Sequence, residues 1–257
     1  MQLNYKSFGQ GEPVIILHGL FGMLDNWQTL AKQLAEHYTV YIIDQRNHGR
    51  SPHADVFNYR ILAEDLQGFM EDNWIYEARI IGHSMGGKTA MQFALDYPDM
   101  VRQLVVVDMG TKRYKGGHSQ IFDALLAVDL DKITDRKAAS DFLATRIPTP
   151  SVRQFLLKNL TRQKEGGYRW KMNLQALYAH YEDILAPLDV DAPFGGATLF
   201  VRGERSDYVQ DADWGDILQS FPRATLSTVS DAGHWVHAEQ PQVLLREVIN
   251  FFASESK

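Results

Sequence analysis

Two incompatible chemistries overlap in the segment Ile80-Ile81-Gly82-His83-Ser84-Met85-Gly86-Gly87-Lys88-Thr89. Read as G-x-S-x-G, with Gly82, Ser84 and Gly86, it is a turn that lifts a serine hydroxyl out of the chain for attack on an acyl carbon. Read as G-x-x-x-x-G-K-[ST], with Gly82, Gly87, Lys88 and Thr89, it is a loop that cradles phosphates. Both readings expect an apolar strand before and a helix after, so the local pattern is neutral between them. Leu104-Val105-Val106-Val107-Asp108 supports the phosphate reading with an apolar strand ending in an acid, as a magnesium-holding segment would be. Such strands are common in parallel sheets, and two strand–loop–helix units precede Gly82, whereas a phosphate loop usually follows the first strand of its domain.

Distant segments favour the serine. Asp231-Ala232-Gly233-His234-Trp235 lies after the last apolar strand and before the last helix, where a Ser…acid…His order needs its base. A serine hydroxyl is a poor nucleophile at neutral pH, and His234 would take its proton and return it to the leaving group. His18-Gly19-Leu20-Phe21-Gly22 follows the apolar run 14–17, and its glycines permit a turn that aims backbone N–H groups at a developing oxyanion. Leu20 would supply one such N–H. Met85, next after the serine and at a helix N-terminus, would supply the other. Phe21, His18 and Trp235 flank these groups and are the candidates for substrate contact. Lys88 then reads as a helix residue snorkelling to the surface. His83 reads as structural, His237 as a helix-cap or wall residue, and His37 and His53 as solvated surface residues.

The triad acid divides the argument. Asp207 follows the strand 197–201, a common place for it, and Asp108 follows the strand 104–107. Either could orient the imidazole and stabilise its cation, and position alone favours Asp207. In Asp44-Gln45-Arg46-Asn47-His48-Gly49-Arg50-Ser51, Arg46 suits a bidentate carboxylate contact that holds loops together.

These residues need a scaffold, and the hydrophobic pattern supplies one. Short β-branched runs at 3–8, 14–17, 39–43, 79–81, 104–107, 197–201 and 224–228 alternate with amphipathic stretches at 26–36, 60–73, 85–96 and 241–253. That is the pattern of a parallel sheet covered by helices. From 111 to 194 the apolar strand runs stop and helical spacing takes over, as in Ile121, Leu125 and Val128. The expected organisation is a core of 1–110 and 195–257 with a helical insertion at 111–194. That insertion would cap the carboxyl ends of the strands, where open α/β sheets place their sites.

Bulk properties exclude several classes. The 257 residues carry a net charge of −6 and show no basic stripe, so no nucleic-acid partner is expected. The absence of cysteine excludes disulfides and thiol catalysis and is compatible with a cytoplasmic location. No window is apolar enough for a membrane helix, and no metal-ligand spacing occurs among the histidines. No cofactor is expected.

The chain resembles the α/β-hydrolase superfamily over nearly its full length, and within it the bacterial YbfF-type esterases. The resemblance rests on residues 18–22, 44–51, 82–88 and 154–158, and on Gly233-His234-Trp235-Val236-His237-Ala238-Glu239. It implies an α/β-hydrolase fold, a mostly parallel central sheet flanked by helices, with a small helical cap after the sixth strand. It implies a serine esterase acting on short or medium acyl esters, with acyl-CoA thioesters as natural substrates. It also places the triad acid after that sixth strand, at Asp108, against the positional preference for Asp207. The same triad serves C–C bond hydrolysis, elimination, and hydrolase-like ligand receptors, so these stay open as alternatives.

Overall fold

Strands that are apolar on both faces need cover on both faces, and the computed structural model, which describes residues 1–254, shows how it is provided. The strands are β1 (Tyr5–Phe8), β2 (Pro13–Leu17), β3 (Thr39–Ile43), β4 (Ala78–His83), β5 (Val101–Val107), β6 (Leu160–Arg162), β7 (Tyr168–Trp170), β8 (Ala197–Gly203) and β9 (Ala224–Val229). Seven of them form one sheet in the order β1-β3-β2-β4-β5-β8-β9, in which only β1 runs antiparallel to its neighbour. The strand before the insertion is the fifth in chain order, not the sixth, because only β1 to β4 precede it.

Alternation along the strands sorts the core into two layers. Ile15, Leu17, Ile80, Leu104, Val106 and Phe200 join one apolar cluster, covered by helices Tyr59–Asp72, Met85–Asp96 and Trp214–Ser220. Val14, Ile16, Ile42, Ile81, Val105 and Val201 join the other, covered by Gln28–Leu34 and Pro241–Ala253. The carboxyl ends of β2, β4, β5 and β8 then lie along one edge of the sheet, and the loops leaving them carry His18, Ser84, Asp108 and Ser206.

Residues 111–194 build a third apolar cluster. Phe122, Leu125, Leu143, Leu156 and Leu177 pack there with Leu20, Phe21 and Met85 of the sheet edge. The segment holds five helices, from Ser119–Leu126 to Tyr181–Leu185, but it is not wholly helical. β6 and β7 form an antiparallel hairpin whose turn uses Gly166 and Gly167, both at positive φ. Three-residue strands built from Leu-Thr-Arg and Tyr-Arg-Trp leave no apolar run, which is why hydropathy patterning misses them.

Arg46 is buried and grips Asp65 through Nε and a terminal nitrogen at 2.5 and 2.8 Å, tying the loop after β3 to helix Tyr59–Asp72. Lys88 corrects the expectation of a snorkelling surface residue. It is fully buried, and its Nζ donates to the carbonyls of Lys112, at 2.8 Å, and Ala186. These carbonyls lie where the chain enters and leaves the insertion. Tyr114 and Tyr59 offer their rings at 5.0 and 5.5 Å, and among the described residues no carboxylate pairs with the amine. Buried in this way, Lys88 is unavailable to phosphates, which removes the phosphate-loop reading.

Burial, aided by the nearby Arg113 charge, pulls the Lys88 ammonium down to about 7. A neutral amine has two N–H groups, one for each carbonyl. Between pH 7 and 10.5 the unfolded chain holds a proton that the folded chain has released, so this residue makes stability rise with pH across that window and adds no slope below it. Denaturant unfolding of wild type and Lys88→Met should give a stability difference that shifts in favour of the wild type from pH 7 to pH 10. A pH-independent difference would show that Lys88 keeps its proton throughout.

Candidate active site

Ser84 ends β4 and begins helix Met85–Asp96 with φ 54° and ψ −121°, a left-handed conformation that a side chain other than glycine enters at a cost of about 1–3 kcal/mol. Close packing enforces it. A Cβ on Gly82 would lie 2.2 Å from the Gly86 carbonyl oxygen, and one on Gly86 would lie 2.5 Å from the carbonyl oxygens of Leu17 and His18. Only hydrogen fits at either position.

The Ser84 hydroxyl lies 2.9 Å from His234 Nε2, and His234 Nδ1 lies 2.7 Å from Asp108 Oδ2. With the Nδ1 proton donated to the carboxylate, Nε2 presents a lone pair to the serine, the tautomer a general base requires. Asp108 is fully buried and also at positive φ, 51°, with its own N–H donating to Val201 O at 2.7 Å. Its carboxylate accepts from the Gly203 N–H at 3.0 Å and from the Ser206 hydroxyl as well as from His234. Asp207 is exposed, and among the described residues it makes no hydrogen bond to His234. The loop after β8 thus meets the Asp108–His234 pair through Ser206 and Tyr208, while Asp207 lines the wider cavity beside Ser84. The Tyr208 ring stacks on the His234 imidazole at 3.8 Å and 15°, and Tyr114 donates to the Tyr208 carbonyl at 2.8 Å.

Around this chain of bonds stand further histidines that burial keeps neutral. The burial of His83 holds its imidazole well below the usual range, and its Nε2 donates to the His234 carbonyl at 2.8 Å, fixing the backbone of the base. Burial likewise pushes His237 down to about 3 and His118 down to about 4. His237 stacks on Trp27 at 4.5 Å, which makes it a wall residue. His18 is pushed down to about 4 by burial, donates from Nδ1 to Gly19 O at 2.8 Å and accepts from Gln45 N–H at Nε2 at 3.1 Å. Both its nitrogens are therefore used internally, and only its ring surface is left for a substrate. His53 is exposed, but its Nε2 donates to Lys171 O at 2.9 Å.

The first loop turns through Gly22 N–H on Gly19 O at 2.9 Å, with Phe21 at φ 61°. Buried Asn159, from the insertion, donates to Phe21 O at 2.7 Å. Among the described residues, neither the Leu20 nor the Met85 N–H donates to a protein acceptor. Both are free for an oxyanion.

Two cavities meet at Ser84. One, of about 190 Å³, is walled by Phe21, Ile121, Val152, Phe155, Leu156 and Trp235. The other, of about 610 Å³, runs past Met109 and Tyr208 to Lys112, Arg113 and Lys115. Ser206, Tyr208, His118 and Asn159 are the site residues that motif reasoning misses. Ser206 and Tyr208 flank Asp207 in sequence, but nothing in their spacing distinguishes them from ordinary loop residues.

A serine at a strained strand–helix turn, an imidazole and a buried carboxylate on an α/β sheet define the class of α/β serine hydrolases. Comparison with known proteins agrees: the chain belongs to the alpha/beta hydrolase fold family, whose model matches residues 12–241. The resemblance read from the motifs is borne out, since the chain is 35% identical to Esterase YbfF of Escherichia coli strain K12 over 92% of this chain and 91% of that protein. It is 38% identical to the sn-1-specific diacylglycerol lipase ABHD11 of Danio rerio, over 98% of this chain and 82% of the relative. A solved structure, a marine microorganism esterase, superposes with a TM-score of 0.96 at 41% identity, covering 97% of this chain and 99% of that one. Among the described residues no helix is long and apolar enough to cross a membrane.

If Asp108 fixes the His234 tautomer, Asp108→Asn should cost on the order of 10⁴ in kcat, the loss seen for the equivalent change in a serine protease. Asp207→Asn should stay near wild type, and Ser206→Ala should fall between. Steady-state kinetics on one activated ester compares all three. A severe loss in Asp207→Asn alone would reverse the assignment.

Proposed function

We propose that the chain hydrolyses carboxylic esters or acyl thioesters through an acyl-enzyme on Ser84. The observation that carries this reading is the continuous set of contacts Ser84–His234–Asp108, at 2.9 and 2.7 Å. In it His234 removes the serine proton as Oγ attacks the acyl carbonyl, and the N–H groups of Leu20 and Met85 receive the oxyanion. His234 then protonates the leaving group, and water repeats the sequence to release the acid. The imidazolium formed at each step lies against the carboxylate of Asp108 and beneath the ring of Tyr208. The neutral histidines nearby add no competing charge.

The smaller, apolar cavity suits the acyl chain. At about 190 Å³ it slightly exceeds the ~150 Å³ that holds a benzene molecule, so an acyl group of roughly four to eight carbons fits. The wider cavity suits the leaving group: Lys112 and Arg113 on its rim pair with Asp213 and Glu182, and Lys115, unpaired among the described residues, supports an anionic one such as coenzyme A. The insertion at 111–194 supplies Ile121, Val152, Phe155 and Leu156 to the acyl wall, and so acts as a cap that sets chain length.

A fluorophosphonate probe should label wild type but not Ser84→Ala, and ester hydrolysis should vanish with the label. Over a series of p-nitrophenyl and CoA esters, kcat/KM should peak at roughly four to eight carbons. Phe155→Ala should move that peak to longer chains. A profile flat in chain length, or unchanged in Phe155→Ala, would remove the cap from substrate selection.

A further inference from the structure

Away from the catalytic serine, the loop 49–53 faces the β6–β7 hairpin across a cleft of about 320 Å³. Arg50, Arg169 and Lys171 line it, with His53 and the Thr161 hydroxyl, and no aspartate or glutamate does. Among the described residues none of these three cations pairs with a carboxylate. Other arginines, such as Arg136, Arg162 and Arg246, also lack a carboxylate partner there; what sets these three cations apart is that they line one cleft together. In a chain of net charge −6, the vacancy is not for want of acids. Among the described residues the side-chain hydrogen bond of Lys171 Nζ goes to the Met23 sulfur at 3.7 Å, a poor substitute for an oxygen.

The cleft cannot relieve its own repulsion by shifting the backbone. Arg50 N–H donates to Asp44 Oδ2 at 2.9 Å, in a turn where Gly49 at φ 55° leaves no room for a Cβ against the Asp44 carboxylate. On the other side His53 Nε2 holds Lys171 O at 2.9 Å, and Asn173 N–H holds Asn47 O at 2.8 Å. Two carboxylates, Asp25 and Asp44, line a neighbouring cleft that shares Arg50 and Lys171. Both are already engaged: Asp25 pairs with Lys6, and Asp44 accepts from Leu24 N–H, Asn4 and Arg50 N–H. Three like charges gathered in a concave site whose lining holds no carboxylate suit an oxygen-rich anion.

We propose that this cleft binds a phosphate dianion, either inorganic phosphate or the terminal phosphate of a larger molecule. The guanidinium groups of Arg50 and Arg169 take its oxygens in paired N–H contacts, and Lys171 supplies a point charge. The cleft shares no lining residue with the two cavities at Ser84, so it is a second site and independent of the hydrolytic reading. Because Arg50 belongs to the sheet-edge loop and Arg169 and Lys171 to the insertion, the anion would bridge the two.

Thermal unfolding at constant ionic strength tests this. Inorganic phosphate at ~100 times its Kd should raise the wild-type Tm by about 5 °C or more. Arg50→Gln/Arg169→Gln should lose that rise, keep its basal ester hydrolysis, and unfold in phosphate-free buffer no earlier than wild type. Should the double variant fail to fold, Arg169→Gln alone, at an exposed position, carries the test. Co-sedimentation with phosphatidic-acid vesicles, lost in the variant, would identify a lipid headgroup as the source. A response to phosphate with no such sedimentation would identify a soluble one. An equal Tm rise in wild type and variant, or the same rise with chloride, would overturn the proposal.

Discussion

Everything at the catalytic edge depends on one backbone conformation, the left-handed turn at Ser84. It is affordable only because the strand before it and the helix after it approach within contact distance of β2, an approach that Gly82 and Gly86 permit by having no side chains. The same approach brings the helix N-terminus under the loop after β2, so that Leu20 and Met85, with their unbonded N–H groups, line one cavity beside Ser84. Relaxing the turn would move the hydroxyl away from His234 and separate those N–H groups together. The strain and the catalytic geometry are one feature.

The second constraint is electrostatic. The buried carboxylate of Asp108 sits beside imidazoles kept neutral by burial, and three donors satisfy it: His234, Gly203 N–H and Ser206. A buried charge is tolerable only when its lone pairs are used. Here they are used by groups from two loops, which ties the loop after β8 to the position of the acid on the loop after β5. Tyr208 then covers the imidazole and limits its rotation. The base is held by its acid from one side, by an aromatic face from another, and at its own carbonyl by His83.

Much of this was legible in the sequence because the signals are local and periodic. The strand runs at 14–17, 39–43 and 104–107 sit inside observed strands, and the helix at 85–96 coincides with the observed Met85–Asp96, since apolar alternation and a helix-length period report burial directly. The glycines of the nucleophile turn were equally readable, because each marks a place where a Cβ cannot fit. The acid was not readable from position: Asp108 and Asp207 both follow a strand of the sheet, and their distances to His234 depend on how two loops cross in space. The hairpin at β6–β7 was hidden because its strands are short and polar. Lys88 was misread because its carbonyl partners are distant in sequence, Lys112 and Ala186, and a lysine's usual place is the surface.

Lys88 also shows how the insertion is attached. The two crossings between sheet and insertion are a few residues of chain each, and one buried side chain bonds a carbonyl on both of them. Elsewhere the contact is made by Asn159 on Phe21 O, by Tyr59 hydroxyl on Ile184 O at 2.6 Å, and by the apolar cluster that includes Leu20, Phe21 and Met85. Phe21 and Leu20 belong to the loop that would cradle the oxyanion, so the insertion does more than roof the acyl cavity. It holds the backbone of that loop through Asn159.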